Sequence, residues 1–252
     1  MKNNKPDISE LHQQFNNVTS ETPNLSITRN NKIKFPYEFL VSVDKGWIPC
    51  DVLEVDTEKE LVKIINASQN DLIIDMASGT GDISKIICNK YSDQKIMRID
   101  PNYLMLKKGS DFFKKNKKII EICSTAENIP LSNNLVDTYV ISFGIRNTYD
   151  TQKALNEAYR VTKKGGKFVC LEFYKIKKPI LKELYKVYSN LIPSIGEIVV
   201  GDRKPYEYLT SSIQKFFTQD EFKNMLEKSK FNNVNYINLM GGIVSIHTAW
   251  KF

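Results

Sequence analysis

The sequence predicts an α/β fold built on a mostly parallel sheet of seven strands that ends in an antiparallel hairpin. Three observations lead to this prediction. Short apolar runs alternate with amphipathic helical patterns between residues 72 and 172, which is typical of a parallel sheet covered on both faces. A mostly helical insertion follows, over residues 179–230. The chain then ends in two strand-like runs joined at Gly241 and Gly242, as in a hairpin.

The periodicity of the apolar residues assigns each element in order. Strands are predicted where a short run is continuously apolar, at residues 72–76, 95–99, 119–123, 136–142 and 167–172. Helices are predicted where apolar residues recur every three or four positions, at residues 83–91, 104–114 and 151–161, and one or two helices are predicted within residues 37–66, where 58–65 has the helical pattern. Gly165 and Gly166 predict a turn before the fifth strand, and residues 233–239 and 243–251 are the hairpin strands.

The length of 252 residues allows one domain with insertions, or barely two domains. Residues 1–35 contain Pro23 and many asparagines without periodicity, so we expect a flexible N-terminal arm. Residues 36–252 are predicted to form one domain, and the helical segment within 179–230 is expected to supply a cap over a ligand site.

Composition argues against several classes of protein. No run of about eighteen apolar residues occurs, so we expect no transmembrane helix, and because the N-terminus is polar we expect no signal peptide. We therefore expect a cytoplasmic location. The net charge of +7 comes mostly from lysine, but no aromatic residues are interleaved with the lysine clusters, so we expect no nucleic-acid partner. The lysines leave peripheral contact with the inner face of a membrane open.

The cysteine and histidine positions also restrict the chemistry. No His, Cys and Asp cluster has the spacing of metal ligands, so we expect no metal. The four cysteines are scattered without a CxxC pair, and Cys123 and Cys170 fall in predicted core strands. We interpret the cysteines as buried apolar thiols in a reducing compartment.

A glycine turn after the first predicted strand is the most informative feature of the chain. Its pattern is Asp75-x-Ala77-x-Gly79-x-Gly81, in which small residues let the backbone approach a ligand closely. The GxGxxG spacing of a dinucleotide site is absent, and so is a GKS or GKT phosphate loop. A turn that need not hold a pyrophosphate suits a nucleoside without phosphates. S-adenosylmethionine is such a ligand, so these four residues are candidate cofactor-binding residues.

Three further strands end in residues that suit the same ligand. Asp100 closes the second strand, where its carboxylate can accept hydrogen bonds from ribose hydroxyls; an N-cap of the next helix is the alternative. Thr125 and Ala126 follow the third strand and can reach the adenine edge. Ser142 ends the fourth strand, under the methionine half of the cofactor. Open α/β sheets bind ligands at the carboxyl ends of their strands, where all of these residues lie.

Taken in order, these motifs resemble the C-methyltransferases of ubiquinone and menaquinone biosynthesis, which methylate a polyprenylated quinol ring. The matching stretches are DMASGTGD at 75–82, AENIP at 126–130, ISFGIRN at 141–147 and YRVTKKGG at 159–166. The C-terminal half adds LEF at 171–173, LIPSIG at 191–196, YEYL at 206–209, GIVSIH at 242–247 and KF at 251–252. The resemblance covers residues 72–252 and implies a Rossmann-like class I methyltransferase domain that uses S-adenosylmethionine.

The resemblance also implies roles for particular residues. The expected contacts of S-adenosylmethionine are Thr80, Asp100, Thr125, Ala126 and Ser142. Two positions depart from the family pattern, because Thr125 stands where the family usually has Asn or Asp, and Ser78 replaces the second glycine. The family's N-terminal Tyr-Asp-x-Met-Asn segment has no clear counterpart here, which leaves the acceptor open.

Arg146 and Asn147, after the fourth strand, are the candidate catalytic residues. A ring carbon accepts a methyl group more readily when the neighbouring hydroxyl has lost its proton. Because arginine is a poor proton acceptor, we expect Arg146 to stabilise the phenolate, directly or through a water, and Asn147 to orient the acceptor oxygen. An ion pair that ties the strand end to a helix is the alternative for Arg146. His247, in the hairpin, is interpreted as a structural residue rather than a base.

The predicted function is therefore S-adenosylmethionine-dependent C-methylation of a polyprenylated benzoquinol or naphthoquinol, with that quinol as partner. Two alternatives stay open: a methyltransferase for another small phenolic or lipid acceptor, and a non-catalytic methyltransferase-like subunit of a quinone-synthesising complex. The sequence leaves a homodimer open as well.

Overall fold

A computed structural model describes residues 50–68, 70–91, 94–114, 116, 118–175, 204–239 and 242–252. Its strands are β1 Leu72–Met76, β2 Lys95–Ile99, β3 Ile119–Ile122, β4 Val136–Ser142, β5 Thr162–Phe173, β6 Asn232–Leu239 and β7 Val244–Trp250. Its helices are α1 Cys50–Ile65, α2 Asp82–Lys90, α3 Tyr103–Phe113, α4 Thr151–Val161, α5 Lys204–Lys215 and α6 Gln219–Lys228, with a short 3-10 helix at Ile145–Asn147.

The seven strands form one sheet in the order β3-β2-β1-β4-β5-β7-β6. Strands β1 to β5 are parallel, whereas β7 runs antiparallel to both β5 and β6. The predicted fold class is confirmed. After β1 the chain builds outward through β2 and β3, and then returns to β4 on the other side of β1. This reversal opens a crevice at the carboxyl ends of β1 and β4, where ligands bind in such folds.

Both faces of the sheet are covered, because side chains alternate between faces along each strand. One face packs against the apolar stripes of α1 and α2, including Leu61 and Ile87. The other face packs against α4 and α6, including Leu155, Phe222 and Leu226. The carboxyl edge of the parallel strands is thereby held by a rigid core.

Two boundaries differ from the sequence prediction. Gly165 and Gly166 lie inside β5 rather than in a turn before it, because both pair with Lys251, just beyond the end of β7. The Gly165 N–H donates to the Lys251 carbonyl (2.6 Å), and the Lys251 N–H donates to the Gly166 carbonyl (3.0 Å). Strand β3 ends at Ile122, so Cys123 is exposed rather than in the core, whereas Cys170 is buried as predicted. Local apolar runs do not reveal pairing with a distant strand, which decides such boundaries.

The predicted arm at 1–35 and residues 176–203 of the predicted helical insertion lie outside the described residues. Within that insertion the described residues form α5 and α6. Helix α6 packs on the sheet, whereas α5 reaches the carboxyl edge of β4 through Tyr208. No helix among the described residues has the length and apolar character needed to cross a membrane.

Candidate active site

The glycine turn lies where β1 ends and α2 begins. Gly81, the residue before α2, has φ of 86° in the left-handed region, and a Cβ there would lie 2.7 Å from Arg98 Nε and from the Phe113 ring. Both the conformation and the crowding therefore demand glycine. Ala77 and Gly79 also have positive φ, of 55° and 53°. The turn is thus a tightly curved backbone segment over the end of β1.

Asp75 supports this turn from inside. The residue is only 1% exposed, and its carboxylate accepts a 2.5 Å hydrogen bond from the Ser84 hydroxyl of α2. Burial disfavours the charged form and raises the pKa of Asp75 to about 6. The structure therefore places Asp75 beneath the turn, with its carboxylate turned to α2.

Asp100 follows β2 and is bound to the same turn. Its Oδ2 accepts a hydrogen bond from the Gly79 N–H (2.8 Å), and its Oδ1 accepts one from the Asn102 N–H (2.7 Å). The side chain of Asn102, rather than that of Asp100, caps α3. The N-cap alternative for Asp100 is therefore wrong. Burial raises its pKa, while the two N–H donors oppose that shift.

Arg98 on β2 was not singled out by the sequence, although it contacts this turn. Its side chain is completely buried, forms an ion pair with Glu121 of β3, and donates a 2.9 Å hydrogen bond from Nη2 to the Gly79 carbonyl. The guanidinium also lies 4.5 Å from the ring centroid of Phe113. An arginine within an apolar strand was a signal that could have revealed this tether.

The remaining cofactor candidates line the same edge. Thr80 is half-buried, and its hydroxyl donates to Asp82 at 2.9 Å. Beyond β3, Thr125 is exposed and Ala126 is buried. The structure thus brings Thr80, Asp100 and the segment of Thr125 and Ala126 to the carboxyl edge of neighbouring strands.

Two buried hydroxyls mark the crevice between β1 and β4. Ser78 Oγ and Ser142 Oγ are inaccessible to solvent and have no hydrogen-bond partner among the described residues. A buried hydroxyl without a partner is unfavourable unless a ligand supplies one. The methionine end of S-adenosylmethionine carries the donors and acceptors that would satisfy both, so these residues fit that cofactor. Ser78 is a further candidate site residue, which the sequence analysis treated only as a small residue in place of glycine.

Arg146 lies in the 3-10 helix after β4, next to a buried carboxylate. Its Nη1 lies 2.5 Å from Glu172 Oε1 and donates to the Phe143 carbonyl at 2.7 Å. The ion pair foreseen as an alternative exists, but it ties Arg146 to strand β5 rather than to a helix. The Arg146 side chain keeps 9% of its surface exposed, and its buried Nε has no partner among the described residues.

Asn147 contacts a residue from the helical insertion. Tyr208 of α5 donates a 2.8 Å hydrogen bond from its hydroxyl to Asn147 Oδ1. Tyr208 is half-buried. The sequence placed Tyr208 in a family motif but gave it no role, since nothing local shows that α5 folds back onto the end of β4.

His247 has the structural role expected from the sequence. It is completely buried, with Nδ1 3.0 Å from the Tyr174 hydroxyl and Nε2 3.0 Å from the Gln219 carbonyl. Burial lowers its pKa to about 4, so it is neutral at ordinary pH.

This arrangement of sheet, turn and strand-end carboxylate defines a class I S-adenosylmethionine-dependent methyltransferase fold. Solved structures of similar fold include the YcgJ protein of Bacillus subtilis (TM-score 0.58, 15% identity, 78% of this chain and 99% of that chain). Another is phosphoethanolamine N-methyltransferase 2 of Haemonchus contortus in complex with S-adenosyl-L-methionine (TM-score 0.58, 12% identity, 78% and 52%). The [4+2]-cyclase SpnF also matches (TM-score 0.61, 14% identity, 78% and 80%). At these identities the likeness shows the fold alone.

The chain belongs to the ubiE/COQ5 methyltransferase family, whose model matches residues 55–251. It is 48% identical over 199 residues to the ubiquinone/menaquinone biosynthesis C-methyltransferase UbiE of Rickettsia prowazekii, covering 76% of this chain and 79% of that protein. It is 45% identical over 196 residues to the protein of the same name from Rickettsia bellii strain RML369-C, covering 72% and 77%. The resemblance found in the sequence motifs is therefore confirmed.

Proposed function

We propose that this protein transfers the methyl group of S-adenosylmethionine to a ring carbon of a polyprenylated benzoquinol or naphthoquinol in ubiquinone or menaquinone biosynthesis. The observation that carries this proposal is the family match, which extends over every element that forms the crevice. The unpartnered hydroxyls of Ser78 and Ser142, together with the Asp100 carboxylate bound to Gly79, support the cofactor assignment.

Residues on one side of the crevice would bind the cofactor, and residues on the other side would bind the acceptor. When bound, the cofactor supplies an electrophilic methyl group on a sulfonium. Asp100 would hold the ribose hydroxyls, the turn at Gly79 would pass under the nucleoside, and Ser142 would bind the methionine end. Alignment of donor, methyl and acceptor carbon supplies much of the rate enhancement in such a transfer.

On the acceptor side, Arg146 would stabilise the negative charge that forms on the ring oxygen. Its guanidinium is held at the end of β4 by Glu172 and the Phe143 carbonyl, so the cation is already at the crevice when that charge develops. Asn147, oriented by the Tyr208 hydroxyl, would position the acceptor oxygen. Helix α5, which brings Tyr208 to Asn147, would then form part of the acceptor cap.

The test is methylation by the purified protein of a demethylated quinol with a short prenyl tail, followed by mass spectrometry. Simple phenols serve as competing acceptors, and calorimetry measures S-adenosylmethionine binding. Methylation of the quinol at a ring carbon supports the proposal. Preference for simple phenols would favour the alternative acceptor class, and absent cofactor binding would favour the non-catalytic subunit.

We also propose peripheral contact with an anionic bilayer, where a polyprenylated acceptor resides. The outer face of α3 presents Leu104 (60% exposed) and Phe112 (56%) beside the exposed Lys107 and Lys108. Apolar side chains flanked by lysines suit the interface of an anionic membrane.

If this contact exists, the protein should sediment with phosphatidylglycerol vesicles, and added salt should weaken that binding. The double variant K107E/K108E should lose binding, whereas K153E/K228E, which changes lysines on α4 and α6, should keep it. Equal binding by the two variants would contradict the contact. Self-association into a homodimer stays a prediction that light scattering can test.

A further inference from the structure

Glu172, at the carboxyl end of β5, is a buried carboxylate that the mechanism above uses only as an anchor. It is fully buried. Its Oε1 lies 2.5 Å from Arg146 Nη1 and accepts the Phe173 N–H at 2.8 Å, while Oε2 accepts the Arg146 N–H at 3.3 Å. The Arg146 guanidinium also lies 5.5 Å from the Phe173 ring centroid. The carboxylate therefore sits beside the group proposed to hold the acceptor oxygen.

The other titratable groups that face Glu172 are neutral at ordinary pH. Among the described residues they are Cys170 on its own strand, Tyr174 directly after that strand, and Tyr208 from α5. Burial raises the pKa of the Cys170 thiol and the Tyr174 hydroxyl well above their ordinary values, and also raises the pKa of Tyr208. Among the residues that the structure describes, the charges at this point are therefore one cation, on Arg146, and one anion, on Glu172.

The reaction needs a group that takes a proton from the acceptor hydroxyl. Arginine does not release its own proton and so cannot accept another. His247 is completely buried and bonded through both ring nitrogens. A second anion against Arg146 would be costly in a buried site, so a phenolate is favourable there only if Glu172 loses its charge at the same time.

Building on the proposed function, we propose that Glu172 receives the proton of the acceptor hydroxyl, by contact or through one bridging water, as Arg146 turns from the carboxylate to the phenolate. The acceptor O–H bond breaks and a carboxyl O–H bond forms, so the charge of the site is unchanged. The ring carbon then takes the methyl group, and the sulfonium leaves as a neutral thioether. The proton on that carbon passes to water, and Glu172 returns its proton to the ring oxygen.

Burial supports this role, because it raises the pKa of Glu172 above its ordinary value while Arg146 opposes the shift. A base with a raised pKa is better matched to a phenol than an exposed glutamate is. The wild type should therefore lose turnover as pH falls through the raised pKa, since only the ionised carboxylate accepts a proton.

The test is the pH profile of quinol methylation at saturating substrates for the wild type, E172Q and E172D. General-base contributions are of the order of a hundredfold or more, so E172Q should lose about a hundredfold in turnover at pH 7. Its turnover should then rise about tenfold per pH unit, since solvent must take the proton. E172D keeps a carboxylate, so it should keep the acid limb with about tenfold lower turnover. Calorimetry should show S-adenosylmethionine affinity within about twofold of wild type in both variants.

The matched control is E157Q, which changes the acid of the Arg160–Glu157 pair on α4 and should leave the profile unchanged. A deficit of E172Q that is equal at every pH would reduce Glu172 to a structural anchor and overturn the proposal. If E172Q does not fold, E172D decides, because loss of its acid limb would also overturn the proposal. Failure of the wild type to methylate the quinol would instead refute the proposed function, so the two failures are distinguishable.

Discussion

Two arginine–glutamate pairs lie on opposite sides of the crevice, and they differ in how far the glutamate is exposed to water. Arg98 pairs with Glu121 on the cofactor side, and Arg146 pairs with Glu172 on the acceptor side. Each guanidinium binds the backbone carbonyl of a loop after a parallel strand, and each lies against a phenylalanine ring. The Glu121 side chain is 29% exposed, whereas that of Glu172 has no exposed surface.

The difference in water access decides what each pair can do. Water reaches Glu121, and the Ser110 hydroxyl also donates to it at 2.5 Å, so this carboxylate has partners other than Arg98. The pair of Arg98 and Glu121 is therefore a tether for the glycine turn. Glu172 is excluded from water, so its charge depends on Arg146 and responds to any new anion nearby. Changes on the cofactor side should alter affinity, and changes on the acceptor side should alter turnover.

The largest expected effect is that of D100N on cofactor affinity. The change removes the charge that would bind the ribose and leaves one acceptor oxygen for the two N–H groups of Gly79 and Asn102. Hydrogen bonds to charged groups contribute about 1.5–3 kcal/mol each, so affinity for S-adenosylmethionine should fall about a hundredfold in calorimetry. An affinity within about threefold of wild type would remove Asp100 from the cofactor site.

Arg146→Ala should produce the opposite pattern. Cofactor affinity should be unchanged, while quinol turnover falls at least about tenfold because the phenolate loses its cation. Arg160→Ala, at the pair with Glu157 on α4, is the matched control and should keep turnover. Near-normal turnover of the Arg146 variant would remove that residue from the mechanism and would erase the contrast between the two pairs.

Arg98→Met should have a smaller effect, which is confined to the affinity for S-adenosylmethionine. Methionine fills the space beside Phe113 but cannot donate to the Gly79 carbonyl, so the turn loses one tether. The net value of such a hydrogen bond is about 1 kcal/mol, which corresponds to about fivefold in affinity. The KM for S-adenosylmethionine should rise by that amount, with turnover at saturation within about twofold. An equal loss of turnover at saturation would mean that this pair also serves the chemistry.

The smallest effect on activity is expected from the buried carboxylate of Asp75, which forms no ion pair with any residue that the structure describes. Its pKa is about 6 in the folded protein against 3.8 ordinarily, so the folded state holds the extra proton between these values. The unfolding free energy should therefore fall as pH rises from about 4 to 6, by an amount of the order of 3 kcal/mol. Denaturant titrations should show this slope reduced in D75N, and identical slopes would refute the assignment.

The sequence by itself determined the sheet, the glycine turn and the family. Alternation of apolar runs and amphipathic helices is a local property, so β1, β2 and β4 fall at the predicted residues. Strand ends are local too, which is why Asp100 and Ser142 could be chosen before the fold was known. The family match at residues 55–251 rests on the same motifs.

Tertiary structure alone decided which groups meet across the crevice. Glu172 comes from β5 and Tyr208 from α5, and each reaches the end of β4 only because of the strand order and the return of α5. Whether a carboxylate serves as a tether or as a proton acceptor depends on its access to water, which no spacing in the sequence encodes. Burial and long-range pairing are properties of the folded chain, and they set the charges on which the chemistry depends.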